Sequence, residues 1–171
     1  MKTEPGTDAL LRLASDLSSA YLAGLPDRHV GGTATRARLL DALGGPLPDD
    51  PADPLDVVRH LAEAADPGIV ATNSGRFFGF VEGGVLPAAL GADWLTAAWD
   101  QNPGFHVLSP AAAVAEEVVA EWLLELLGLP ETASVGFTTG AQMASLAGLA
   151  AARHRVLAAE GCDVEADGLA G

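Results

Sequence analysis

The chain has 171 residues and a mass of 17.3 kDa, enough for one ordinary domain with a core. Hydrophobic residues make up 49% and charged residues 19%, which excludes disorder of the low-hydropathy kind. Nine Lys+Arg stand against 23 Asp+Glu, a formal charge of −14, so phosphate backbones and anionic membranes are repelled and neither nucleic acid nor membrane is an expected partner. The one lysine is Lys2, so chemistry that needs a buried lysine has to be completed from outside the body of this chain. Cys162 is the one cysteine, and no intrachain disulfide can form. It reads more simply as a small residue after Gly161 than as a nucleophile, since no lysine lies near it. Residues 2–8 lack the basic start and apolar run of a signal peptide, and the apolar stretches are interrupted by Asp93 or by the glutamates between Glu116 and Glu125. A cytoplasmic protein is expected.

Leu10, Leu13, Leu17 and Tyr21 recur at helical spacing from Asp8, and Gly24 and Pro26 end that helix. A connector with Gly31, Gly32 and Thr33 leads to a short helix over residues 35–42, stopped by Gly44, Gly45 and Pro46. Residues 46–54, rich in proline and aspartate, predict an extended acidic loop. Leu55, Val58, Leu61 and Ala65 mark a third helix, closed by Pro67 and Gly68. Residues 76–84 set aromatics beside glycines, which suits a loop that packs tightly and lets backbone come close to another group. Pro87 opens a fourth helix with Leu90, Trp94, Leu95 and Ala98 on its inner face, stopped by Asn102, Pro103 and Gly104. Ser109 and Pro110 form an N-cap and first-position pair for a fifth helix that runs to Leu127 and stops at Gly128. Ser134 to Thr138 predicts a short apolar strand, Thr139 to Ala141 a turn, and Gln142 to Ala159 a sixth helix. One strand is not a sheet.

The strand–turn–helix unit is the most chemical feature. Free N–H groups and the dipole at a helix N-terminus favour an anion such as phosphate, Gly140 admits close approach, and Thr138, Thr139 and Gln142 add donors; a purely structural glycine turn is the alternative. His29, His60, His106 and His154 never fall at metal spacing, and His60 with Glu63 supplies two ligands where a zinc site needs more. No serine sits in a nucleophile elbow. Glu117, Glu121 and Glu125 form a solvated stripe, whereas Glu116 lies nearer the apolar side and is expected to have a partner. Phe77, Phe78, Phe80, Trp94, Trp99 and Phe105 are read as core or interface, with a ligand pocket as the alternative.

Three pieces in order resemble the group II pyridoxal-phosphate-dependent decarboxylases, the family of aromatic-amino-acid and glutamate decarboxylases. The first is Arg76-Phe77-Phe78-Gly79-Phe80, followed by Leu86-Pro87-Ala88. The second is Gly104-Phe105, Ser109-Pro110-Ala111, Glu116, Trp122 and Leu127-Gly128-Leu129-Pro130. The third is Gly136-Phe137-Thr138-Thr139-Gly140, then Met143-Ala144, entering an alanine-rich helix with Arg153. The closing run from Asp163 to Gly168 is similar to bacterial members, and the likeness covers about the last 100 residues.

The resemblance implies an α/β fold: an N-terminal helical segment followed by the start of an aspartate-aminotransferase-like large domain (pyridoxal-phosphate fold type I), incomplete in this chain. It implies a dimerisation segment over residues 1–70, substrate-loop and connecting helices over 71–130, and the start of the cofactor domain over 131–171. Thr139, Gly140, Ala141 and Gln142 would bind the phosphate of pyridoxal 5'-phosphate. Phe80, Val81 and Gly83 would sit near the substrate carboxylate, and Pro103 and Phe105 would line its side chain. The sequence also departs from the family: Ser74-Gly75 replaces a His-Pro pair, Gly140-Ala141-Gln142 replaces Gly-Gly-Ser/Thr, and Ser145 stands where asparagine is common. The family's ring-stacking histidine, its pyridine-nitrogen aspartate and its Schiff-base lysine lie further along than these 171 residues reach. No residue here is expected to be catalytic. The expectation is an N-terminal half of a split decarboxylase-like enzyme, inactive alone, whose partner is a C-terminal-half polypeptide that carries the lysine and shares the cofactor. Alternatives are a non-catalytic binding module, a piece of a full-length enzyme, or a split enzyme with an oxidative or other C–C or C–N lyase reaction. Such a chain should leave apolar surface uncovered.

Overall fold

The computed structural model describes residues 6–168; Lys2 and residues 169–171 lie outside them. The described chain divides into two compact units, one ending at Trp94 and the other beginning at Leu95.

The first unit opens with α1, Thr7–Gly24, on which Leu10, Leu13, Leu17 and Tyr21 are half-buried as their spacing requires. Next comes α2, Arg36–Leu43, capped by Thr35, whose hydroxyl accepts from the Arg38 N–H at 3.3 Å. The third helix, α3, is Pro54–Ala65; Asp53 caps it by accepting from the Leu55 N–H at 2.7 Å, and Pro54 occupies the first turn. It packs against both α1 and α2. Its inner row is Leu55, Val58, Ala62 and Ala65, whereas Leu61, read from the sequence as part of that stripe, is exposed. A 3-10 turn, Asp66–Gly68, follows, and the Pro67 carbonyl accepts from the N–H groups of Thr33 and Ala34, which ties the connector down. Residues 69–86 are irregular, and α4, Pro87–Trp99, crosses the unit boundary. Its expected inner face is uncovered: Trp94, Leu95 and Ala98 are exposed and Leu90 is half-buried.

The second unit holds α5, Pro110–Leu127, α6, Ala141–Ala159, and the short α7, Val164–Asp167. Ser109 is fully buried, and its hydroxyl accepts from the Ala112 N–H at 3.4 Å to cap α5. Gly128 ends that helix at φ 63, a left-handed conformation that a side chain would strain. The last turn, α7, has no counterpart in the periodicity reading. Asp163 caps it by accepting from the N–H groups of Glu165 and Ala166, and it packs on α6 with Val164 buried. Glu165 meets His154 Nδ1 at 2.7 Å and Arg153 at 3.5 Å.

The N-terminal helical segment is as expected, and the described residues hold helices and no strand, so no sheet of the expected α/β class is present among them. Residues 134–138 lack a ladder because a strand exists only through hydrogen bonds to a neighbour, and none of the described residues pairs with them. Of the two readings of the aromatics, core or interface, the core one does not hold: Phe78, Phe80, Trp94, Trp99 and Phe105 are exposed, and Phe77 is half-buried. Glu116 is exposed, with no hydrogen bond or ion pair among the described residues. The buried hydrophobic residues described are Ala71 and Val164 alone. Uncovered apolar surface is what the sequence led us to expect. On α5, Val118, Trp122 and Leu126 are exposed, and on α6, Leu146 and Leu149. Exposed apolar side chains on two successive helices leave a surface that a covering partner would bury.

Candidate functional site

The N-terminus of α6 gathers the predicted phosphate loop. Thr139, Gly140, Gln142, Met143 and Leu146 line an open cavity of about 320 Å³. Gly140 is the N-cap, with extended backbone (φ 165, ψ 170) and no side-chain cap. The Ala144 N–H donates to the Gly140 carbonyl at 3.1 Å, which closes the first helical bond. No hydrogen bond to the N–H groups of Ala141, Gln142 or Met143 is formed among the described residues. These donors stand at the positive end of a 19-residue helix that has no acidic residue in its first turn. Thr138 Oγ1 donates to the Gly140 carbonyl at 3.1 Å, so its hydroxyl braces the turn, and the Thr139 hydroxyl and the Gln142 amide make no described hydrogen bond. A Cβ at Gly140 would meet nothing within 4 Å, so the approach to this backbone is open. The arrangement suits a phosphate: several N–H donors, no competing carboxylate and room in front.

The residues predicted for the substrate carboxylate lie in the first unit, on the loop after the aromatic pair. Phe80 and Val81 have φ 56 and φ 57, and their side chains are 90% and 105% exposed. A β-branched residue in that region of backbone space is a real outlier, and such strain concentrates at functional loops. Gly79 fits beneath the Phe77 ring, whose Cζ would stand 3.1 Å from a Cβ there. A Cβ at Gly83 would meet nothing within 4 Å. Pro103 and Phe105, predicted for the substrate side chain, belong to the second unit. Gly104 N donates to Asn102 Oδ1 at 2.9 Å, and the Phe105 carbonyl accepts from Leu108 N and Ser109 N, so this turn is fixed while the Phe105 ring stays exposed.

Residue patterns missed the polar frame of the first unit. Arg28 pairs with Asp66 Oδ1 at 2.8 Å, donates to the Asp66 carbonyl at 2.7 Å and lies over the Tyr21 ring, 5.0 Å from its centroid. These side chains, with Glu63, Asn73 and several apolar residues, line a cavity of about 640 Å³. Arg28 is isolated in sequence and Asp66 is one of many acids, so no spacing signal marks the pair.

Comparison with known proteins places the chain in a family. Residues 38–161 match the model of the pyridoxal-dependent decarboxylase conserved domain, well over half of the chain, and the chain belongs to that family. It is 26% identical over 144 residues to an aromatic-L-amino-acid decarboxylase of Bacillus atrophaeus, covering 84% of this chain and 30% of that one. It is 27% identical over 150 residues to an aromatic-L-amino-acid decarboxylase of Mus musculus, covering 83% of this chain and 31% of that one. The crystal structure of Oryza sativa TDC with PLP and tryptamine superposes with a TM-score of 0.67 at 24% identity, over 76% of this chain and 27% of that one. The chain thus spans about 30% of the length of the curated relatives it matches. The likeness to the plant structure is one of fold.

Proposed function

We propose that this chain is the N-terminal portion of a pyridoxal-phosphate-dependent amino-acid decarboxylase-like enzyme and supplies the cofactor-phosphate loop and walls of the substrate pocket. The observation that carries this reading is the first turn of α6: the N–H groups of Ala141, Gln142 and Met143 have no partner among the described residues, Gln142 and Met143 line an open cavity, and the turn has no acidic residue. Thr139, Gly140, Ala141 and Gln142 would hold the phosphate, and the macrodipole of α6 would favour its charge. Phe80, Val81 and Gly83 would stand near the substrate carboxylate, and Pro103 and Phe105 near its side chain. The bound cofactor supplies the electron sink for the carbon–carbon bond that breaks.

The cofactor-bearing lysine would come from elsewhere, because residues 38–161 contain no lysine. We assign it to a second polypeptide that would add the rest of an aspartate-aminotransferase-like sheet, beginning by pairing with residues 134–138. The exposed faces of α5 and α6 support this, since they need a covering body. Residues 1–70 would serve dimerisation, 71–130 the substrate loops and 131–171 the cofactor domain, in a dimer of such halves in the cytoplasm.

Native mass spectrometry of this chain, produced together with a polypeptide carrying the family's missing histidine, aspartate and lysine, tests the assembly. The expected result is a complex of both chains with pyridoxal phosphate bound, active on an amino acid, and no activity from this chain alone. This chain recovered at its own mass or as a cofactor-free self-oligomer overturns it and favours a binding module.

A further inference from the structure

We propose that Arg76 is a positioning residue, holding the Phe80–Val81 tip in its strained form by fastening the base of the loop to the end of α1. Its Nη2 donates to the Leu25 carbonyl at 3.3 Å and to the Arg28 carbonyl at 2.5 Å, about 50 residues back in sequence. Leu25 is the C-cap of α1, and α1 has no basic residue in its own last turn. The guanidinium therefore satisfies a helix-end carbonyl and places a cation at the negative end of the dipole.

The same base is fixed from the backbone side. The Arg76 N–H donates to Ser74 Oγ at 3.3 Å, the Phe77 N–H donates to the Ser74 carbonyl at 3.0 Å, and Ser74 is buried. Past Phe77 the restraints thin out. The Glu82 N–H donates to the Gly79 carbonyl at 3.4 Å, and the Phe78, Phe80 and Val81 side chains are exposed. A left-handed conformation at two successive non-glycine residues persists only where its surroundings over-determine it. Here the surroundings are the Phe77 ring against Gly79 and the anchored base, and Arg76 is the side chain that ties this base to the end of α1.

The geometric part stands by itself; its consequence for substrate rests on the function proposed above. Hydrogen exchange of the two bonded amides, Phe77 N–H at the base and Glu82 N–H at the tip, is compared in the wild-type chain, Arg76→Ala and Arg76→Lys, with α3 as internal control. Arg76→Ala is expected to speed exchange of both about tenfold, the loss of a charge-assisted hydrogen bond, with α3 unchanged, and Arg76→Lys is expected to recover most of the protection. In the assembled enzyme, Arg76→Ala should raise KM for the amino acid about tenfold with kcat within about twofold, and Arg76→Lys should restore KM. Unchanged exchange of the Phe77 and Glu82 N–H groups, or no recovery by lysine, overturns the positioning role. An assembled wild-type enzyme without activity refutes the decarboxylase reading and leaves the exchange result to decide the role of Arg76.

Discussion

The Tyr21 hydroxyl donates to Asn73 Oδ1 at 3.2 Å, joining the core-facing side of α1 to the loop that precedes the aromatic string. The same ring carries the Arg28 guanidinium on its face, and Arg28 reaches on to Asp66 at the end of α3. Two side chains thus link three separate segments in a unit with little buried apolar surface. Tyr21→Phe removes the hydrogen bond and keeps the ring face, and should cost about 1 kcal/mol. Tyr21→Leu removes both and should cost about 2 kcal/mol. Denaturant midpoints of the two variants against wild type measure the difference, and equal midpoints would show that the ring face contributes nothing.

Ser109 is the fully buried cap of α5, preceded by the fixed turn at Phe105. Ser109→Ala strands the Ala112 N–H without its acceptor and should destabilise the second unit by about 1–2 kcal/mol. Ser109→Gly keeps the capping conformation accessible and should cost less. Thermal unfolding followed by far-ultraviolet circular dichroism ranks the three proteins. A wild-type transition for Ser109→Ala would mean that α5 does not depend on its cap.

What the sequence makes legible here is what short-range chemistry decides. Ser109-Pro110 and Gly128 bracket α5, Asp53-Pro54 starts α3, and the row Leu10, Leu13, Leu17, Tyr21 faces inward on α1. The turn at Thr139 and Gly140 is equally readable, because a glycine just before an alanine-rich run is a local mark of a helix start. The misses share another cause. The strand expected at 134–138 forms no ladder because none of the described residues pairs with it, and the expected inner face of α4 stays exposed; both depend on partners distant in sequence, which local patterns do not name. The link from Arg76 to Leu25 and Arg28 is long-range and polar, with no periodicity to announce it.

Trp122 and Leu126 lie four apart on α5 and are 65% and 80% exposed. In the proposed assembly they are covered. The free chain should bind an apolar dye such as ANS, and addition of the completing polypeptide should displace it. Trp122→Ser combined with Leu126→Ser should leave α5 helical and weaken association at least about tenfold, since large aromatic and aliphatic anchors dominate such contacts. Titration followed by native mass spectrometry reads the loss, and unaltered affinity would place the contact elsewhere.

Gln142 gives the sharpest chemical test of the phosphate loop. It is the second residue of α6, beside the unpartnered N–H groups, and the first turn contains no acid. Gln142→Glu adds a carboxylate where the phosphate would lie and opposes the dipole's attraction for that anion. Pyridoxal-phosphate affinity of the assembled enzyme should fall at least about tenfold, and the loss should shrink at high salt as the exposed charges are screened. Gln142→Ser exchanges the amide for a hydroxyl and should bind at least as well as wild type. Ala151→Glu makes the same change in net charge further along the exposed side of α6 and should alter affinity by less than about twofold. Fluorescence titration with the cofactor separates these cases. Equal losses for Gln142→Glu and Ala151→Glu would mean that overall charge governs binding and that the first turn of α6 does not hold the phosphate.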